Sequence, residues 1–437
     1  MPTTLPPGSN GLPLLGETLT FAKNPFAFID ERLARHGRIF RSRLLGRNAV
    51  VIAGPEAAGR FIDGSVVMRD DSMPPHVQQL FAGRSLPLLD GDAHRQRKSA
   101  VNQAFSRAAI TDYLPQMQAS IETAFKRWAG AGEIRWLDEM KRLSIEVICS
   151  TIMGLPPGSA MDALRRDYEI LLNGFSTLPI NIPGTRYNKA LKARDRIMDL
   201  FRATVRERRK APTGDGLSRI LAAGGATLGD EDAALELHHI VIAGFIVFGE
   251  LGATVMQLTD HPDVREKLAA EIEAKSPGGP ITLEALMSMP YLLQVVNEVK
   301  RLTPIIPGVF GIAKDGFELD GMTVPAGWMI IWTIRPTHIA HGVYDHAERF
   351  DPDRFSPARA EDRRHEHAFV PQGAGPVTGH RCPGLDFATY FMEVFAIVLL
   401  RGFSWELPPQ NLELDYSKVP PEPKDALRAV VLRSTHA

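Results

Sequence analysis

The chain has 437 residues, of which 44% are hydrophobic and 23% charged, and its formal net charge is −1. That balance gives no global pull toward nucleic acid or an acidic membrane surface. The two cysteines, Cys149 and Cys382, do not make a disulfide framework, and the hydrophobic share is enough for a large buried core.

The opening "MPTTLPPGSNGLPLLGETLTF" has no charged region followed by an apolar core, so it does not read as a signal peptide. "PPGSNGLPLLG" is turn-rich and belongs on the surface. "NPFAFIDERLARHG" keeps a helical apolar rhythm and stops at Gly37. "IFRSRLLGRNAVVIAG" predicts two short strands joined at Gly46. From residue 92 to residue 300 the period is mostly helical, with "APTGDG" (211–216) as the clearest loop. "HPDVREKLAAEIEAKSPGG" places Pro262 in a first helical turn and a glycine pair at the end. After residue 303, "FELDGMTVPAGWMIIWTI" alternates turns with β-rich runs. "CPGLDFATYFMEVFAIVLLRGF" then predicts a long apolar helix starting at the cysteine.

The class is therefore mainly α with a minor β part, an α+β chain. No composition break cuts it, so 1–437 reads as one domain, although length alone suggests more. No segment has about 18 uninterrupted apolar residues. The expectation is a cytoplasmic protein without a membrane anchor.

The chemistry-bearing stretch is "PQGAGPVTGHRCPG" (371–384). Cys149, on an apolar helical face, reads as a buried small hydrophobe. Cys382 sits among glycines that let backbone N–H groups approach closely, beside His380 and Arg381 and just before a helix N-terminus. Those surroundings favour an anionic sulfur. A reactive thiol, a structural thiol and an axial iron ligand that favours O–O cleavage all remain open on local grounds. No partner spacing completes a zinc site.

Three further stretches bear on the choice. "EVKR" sets Glu298 and Arg301 on one helix face. "FDPDRF" supplies Arg354. "GDAHRQRKSAVNQAF" is a basic helix with His94, Arg97 and Lys98. Together with the opening "PPGSNGLPLLGETLTF" and the closing "CPGLDFA", in this order, they resemble the cytochrome P450 family nearly end to end. The resemblance implies a triangular, mainly helical domain enclosing haem b, with Cys382 as the proximal thiolate. Glu298, Arg301 and Arg354 would brace the cysteine loop. His94, Arg97 and Lys98, with His380 or Arg381, would meet the haem propionates.

The chain departs from the family pattern at two places. Gln372 replaces the aromatic residue that precedes the cysteine loop, and the loop is longer. This form, with "LLDGDAHRQRK" and "TPIIPGVFG", resembles the fatty-acid peroxygenase branch, whereas "GLPLLGETLTF" resembles retinoid hydroxylases. In the central helix "HHIVIAGFIVFGELGATVMQ", Ala243 and Gly244 fit, but no acid–alcohol pair follows, and apolar side chains cannot relay protons. The peroxygenase arginine is also missing there, and Pro87 stands where that branch has Gln or His.

Glu250 is the ionisable group left downstream of Ala243, either an internal acid–base or a packed structural glutamate. Phe245, Ile246, Phe248, Val309 and Phe310 are expected to line an apolar pocket. The resemblance implies oxygen insertion, usually hydroxylation, of an apolar small molecule. The oxidant is either peroxide, or dioxygen with a ferredoxin and reductase. A haem isomerase or dehydratase, or more remotely a haem-binding sensor, is the alternative. No nucleic-acid partner is expected.

Overall fold

The computed structural model describes residues 4–13, 15–44 and 46–434. Its five-stranded sheet runs, by strand, Ile39–Leu44, Arg47–Ile52, Met329–Thr333, Gly308–Ala313 and Val67–Met68. The first two strands form the predicted hairpin, pairing Ile39 with Ile52. Arg47–Ile52 pairs in parallel with Met329–Thr333, Val50 opposite Ile330; the other pairings in this sheet are antiparallel. The two central strands are buried on both faces. Phe28, Phe40, Val51 and Ile331 pack on one side; Val50, Ile52, Phe61 and Trp332 pack on the other. Such double burial selects near-continuous Val and Ile rather than polar alternation.

The remaining mass is helical. Helices Arg107–Trp128, Trp136–Met153, Arg186–Lys210, Pro290–Leu302 and Leu385–Gly402 share one apolar core with the central stretch 230–260. The sequence marks several boundaries correctly. Asn24 accepts the Ala27 amide ahead of Pro25–His36, Gly37 follows at φ 89°, and Pro262 opens Pro262–Lys275. The cysteine-loop helix begins later than its apolar pattern suggests, at Leu385. Cys382 lies in the preceding turn.

The central helix is not continuous. It runs Asp230–Phe245 and Phe248–Asp260, with a break at Ile246 and Val247. There the Gly249 and Glu250 amides bond carbonyls three residues back, Ile246 O at 3.2 Å and Val247 O at 2.9 Å. This tighter winding falls where two β-branched residues adjoin. Just before it, Gly244 permits close packing: a Cβ there would come within 2.4 Å of the Ile148 side chain.

Among the described residues, 230–260 is the one stretch long and apolar enough to cross a membrane by length and composition. It still holds no uninterrupted run of about 18 apolar residues; mean hydropathy passes it because the measure tolerates the interspersed His and Glu. Its most apolar window is 67% buried inside the protein.

Two histidines are locked neutral in this core. The Leu80 carbonyl can only accept, so His238 Nε2 carries the proton (3.1 Å), and Nδ1 accepts from the Tyr168 hydroxyl (3.0 Å). His338 is the reverse. Its Nε2 accepts the Val370 amide (2.9 Å), and its Nδ1 donates to the Arg301 carbonyl (3.1 Å). Burial pushes their pKa values down to about 4 and about 3.

The unfolded chain protonates such a histidine near pH 6.5 while the fold refuses the proton, so stability is lost as pH falls. Glu393, pushed up to about 8 by burial, acts with the opposite sign, so the clean readout is a difference between variants. The stability deficit of His238→Gln relative to the parent should shrink by about 1.4 kcal/mol per pH unit from roughly pH 6 to 4.5. Denaturant unfolding measures it. A deficit constant with pH would mean that His238 is not held neutral.

Candidate active site around Cys382

The loop before Leu385–Gly402 folds back on itself. The Cys382 amide donates to the Gln372 carbonyl at 3.0 Å, and the Gln372 side-chain amide lies 3.9 Å from Sγ. Gly373 and Gly375 hold φ of 84° and 88°, a left-handed conformation that glycine adopts at little cost. The added residues close a turn, with the Gly379 amide on the Pro376 carbonyl at 2.9 Å. Burial pushes the Cys382 thiol up. The Gly384 amide, Lys98 and Lys300 pull the other way. Positive surroundings are thus present, but they come from Lys98, Lys300 and the Gly384 amide rather than from His380 and Arg381, and burial outweighs them for the free thiol.

Behind the sulfur lies a buried polar cluster. Lys300 Nζ, 1% exposed, donates to Gln372 Oε1 (2.9 Å) and Thr389 Oγ1 (2.8 Å). Burial lowers its pKa, and Glu250, Cys382 and Glu393 oppose that shift. Glu250 and Glu393 each keep one carboxylate oxygen without a hydrogen-bond partner.

A second cluster flanks the loop. The His94 and His380 ring centres lie 4.1 Å apart with the planes tilted by 34°, and His380 Nε2 lies 3.3 Å from Asp90 Oδ1. Asp90 Oδ2 accepts the Arg69 and Asp70 amides at 2.6 and 2.8 Å. Burial would raise the Asp90 carboxyl, but His380 and the two amides hold it well below the carboxylate range. Lys98 donates to the Arg381 carbonyl, and burial lowers its pKa to about 8. Burial, with His380 and Lys98 beside it, lowers His94 to about 4, and its Nε2 is buried without a partner. The Arg69 guanidinium lies 3.8 Å over the Phe61 ring. Its hydrogen-bond partners are the Phe61 and Phe310 carbonyls (3.3 and 3.5 Å).

Arg97 reads differently from its expected place in this cluster. It is bound by Asp232 (2.7 Å) and Glu236 (3.2 Å) on the central helix, which neutralise it. The Arg381 side chain lines an open cleft with Asp386, Tyr390 and Glu393.

The third element is the bracing network. Glu298 takes Arg301 Nε at 2.6 Å and Arg354 Nε at 2.9 Å, all three fully buried, and Glu361 adds a second carboxylate to Arg354 at 2.8 Å. His338 carries this network to Val370, just ahead of the cysteine loop. Tyr344 faces both guanidinium groups.

The helical phase that one sequence leaves open is settled by burial. His239, Ala243, Gly244 and Ile246 stay partly open while the other residues from 233 to 250 are buried, and the stripe through 239, 243 and 246 ends at the buried Glu250. Phe245 and Phe248 lie off that stripe. They are wholly buried among Tyr168, each other and the Lys141 ammonium, as ordinary core. Phe310 packs with the Phe28–Phe40 cluster, and Val309 with the cluster on the opposite sheet face, because strand side chains alternate.

Arg69, Asp90, Lys300, Gln372 and His239 were not singled out as site groups from the sequence. "EVKR" and the odd Gln372 carried a signal for two of them.

A thiol faced by N–H donors, a buried cation without a carboxylate partner and an orphaned histidine nitrogen fit an iron macrocycle bearing anionic arms. The site is thus that of a haem-thiolate protein. The family model for cytochrome P450 matches residues 6–425, and the chain belongs to that family. It is 32% identical to the putative cytochrome P450 120 of Synechocystis over 97% of this chain and 96% of the relative. It is 30% identical to cytochrome P450 26B1 of Danio rerio over 97% and 86%. The retinoic acid-bound cyanobacterial CYP120A1 superposes with a TM-score of 0.92 at 30% identity, covering 99% of this chain and 100% of that one. Members of the family are monooxygenases or peroxygenases and bind haem b through a cysteine thiolate.

Proposed function

We propose that residues 1–437 work as one haem domain that hydroxylates an elongated, mainly apolar molecule of the retinoic-acid kind, with Cys382 as the iron ligand. The observation that carries this reading is the open stripe of His239, Ala243 and Ile246 ending at Glu250. It gives a floor with Ala243 and Ile246 in its middle and an ionisable group at each end, His239 and Glu250. The ligand of the CYP120A1 structure supports the substrate class. Arg69, His94, Lys98 and His380 hold the haem's carboxylates. Glu298, Arg301 and Arg354 brace the loop. Ile246 and Val309 contact substrate, and Glu250 holds and releases a proton. The bound haem supplies the redox chemistry.

With dioxygen, one oxygen atom would enter a C–H bond and the other would leave as water, using two electrons from a ferredoxin and two protons from solvent. The resemblance to retinoid hydroxylases favours that oxidant. The long cysteine loop, with Gln372 at the sulfur, favours a second reading in which hydrogen peroxide gives one oxygen atom to substrate and leaves water.

The test is turnover of a retinoid acid with peroxide alone against turnover with ferredoxin, reductase and dioxygen. One arm should yield hydroxylated product. Cys382→Ser should lose both turnover and the family's characteristic absorption band of the reduced carbon-monoxide complex. If that band survives in Cys382→Ser, the ligand assignment is wrong. If neither oxidant works but a hydroperoxide rearranges, the non-oxygenating alternative replaces this reading.

A further inference from the structure

We infer that Lys300 is a positioning residue that turns the Gln372 side-chain amide so that its N–H faces the Cys382 sulfur, and thereby sets the electron donation of the thiolate to iron. The inference rests on the proposed role of Cys382 and goes beyond it, since it assigns a tuning device to two residues outside the ligand itself.

The argument starts from donor and acceptor inventories. A protonated lysine has three N–H bonds to give and no lone pair to receive one. The Gln372 atom facing Lys300 Nζ at 2.9 Å must then be the amide oxygen, because the NH2 group would meet it donor to donor. The other end of the same amide is thereby committed to Sγ, 3.9 Å away, a long N–H···S contact. Thr389 holds the lysine from a second side with the same polarity. Its hydroxyl donates to the Leu385 carbonyl at 2.9 Å, so its lone pair is what Lys300 meets at 2.8 Å. Gln372 is also fixed through its backbone carbonyl, which accepts the Cys382 amide at 3.0 Å. The residue therefore grips the cysteine at two points, and only the side-chain point depends on Lys300.

A buried ammonium needs compensation. The Glu250, Glu393 and Asp386 carboxyls, together with Cys382, lie close enough to oppose the lowering of its pKa by burial. An apolar residue at 300 would be cheaper to bury and would brace the helix Pro290–Leu302 as well. It would also free the Gln372 amide to turn its oxygen toward an anionic sulfur. An N–H directed at a thiolate stabilises charge on sulfur and draws it from the iron, and hydrogen bonds to sulfur are a recognised lever on haem potential. Lys300 thus acts on the iron through one intervening side chain.

The experiment uses the haem-loaded full chain and reads the ferric/ferrous midpoint potential and the iron–sulfur stretching frequency by resonance Raman. Lys300→Met should move the potential to more negative values, by up to roughly tenfold in the ferric/ferrous equilibrium constant, or about 59 mV for a one-electron couple. The iron–sulfur frequency should rise with it. Gln372→Leu should give a shift of the same sign. The double variant should shift no further than Gln372→Leu alone, because both act through one contact. Lys300→Arg keeps a donor-only cation and should restore the parent values. If Lys300→Met does not take up haem, Lys300→Leu is read in its place and should move in the same direction.

Parent values in both neutral Lys300 variants, or additive shifts in the double variant, would overturn the inference. Failure of the underlying reading looks different: the parent protein itself would then lack the thiolate-type band of its reduced carbon-monoxide complex.

Discussion

Glu298→Gln should leave little folded, haem-loaded protein. Glu298 accepts four N–H donors: Arg301 Nε and a terminal Arg301 nitrogen at 2.6 and 2.8 Å, Arg354 Nε at 2.9 Å and the Asp351 amide at 2.9 Å. Glutamine offers one oxygen to those donors and presents its own NH2 to the rest. Arg354 then keeps Glu361 as its carboxylate, while the buried Arg301 guanidinium loses the carboxylate it was paired with. Removing one partner of a buried pair costs about 3–5 kcal/mol, because the surviving charge stays desolvated. Total stability of a native protein is only about 5–15 kcal/mol. The loss also reaches the iron site through His338 and Val370, which tie Arg301 to the start of the cysteine loop. Haem content and the denaturant midpoint measure both effects. Arg354→Lys keeps the charge but loses the fork that spans Glu298 and Glu361, and should fall between that variant and the parent. A parent-like midpoint in Glu298→Gln would contradict the account.

Some of this was legible in the sequence because it was written locally. Asn24, Gly37, Gly46 and Pro262 act within a few residues of where they stand, so the boundaries they set follow from spacing. Glu298, Arg301 and Arg354 were placed by resemblance, and the geometry joins them. Lys300 was hidden because a lysine inside "EVKR" looks like any solvated helix charge. Only the meeting of helix Pro290–Leu302 with the loop at Gln372 buries it. Arg69 was hidden for the same reason, since its guanidinium is enclosed by Phe61 and by Phe310, a residue 241 positions away. Arg97 erred in the other direction. It sits among basic neighbours, yet Asp232 and Glu236 arrive from the central helix and neutralise it. Phe245 and Phe248 were misplaced because apolar character does not reveal helical phase. Partial exposure at His239, Ala243 and Ile246 does.

That phase gives Glu250→Gln its expected result, a fall in turnover of about 100-fold or more with the substrate KM nearly unchanged. The group ends the open stripe of the central helix, just past the turn where its winding tightens. Burial raises its pKa, with Lys300 opposing, so it keeps its proton to higher pH than an ordinary glutamate. One of its oxygens has no hydrogen-bond partner among the described residues. Glutamine matches its shape but cannot give up and regain a proton. Ile246 and Val247, where the resemblance calls for the acid and the alcohol, cannot do so either.

A purely structural glutamate would behave differently. As a counter-charge for Lys300 alone, its loss would lower stability and move the haem potential through Gln372. Turnover per loaded haem would then change only as far as the potential does. Measuring turnover, KM, potential and unfolding midpoint on the same preparation separates the two roles. Unchanged turnover would reduce Glu250 to scaffold and leave the proton to come from the substrate or from solvent.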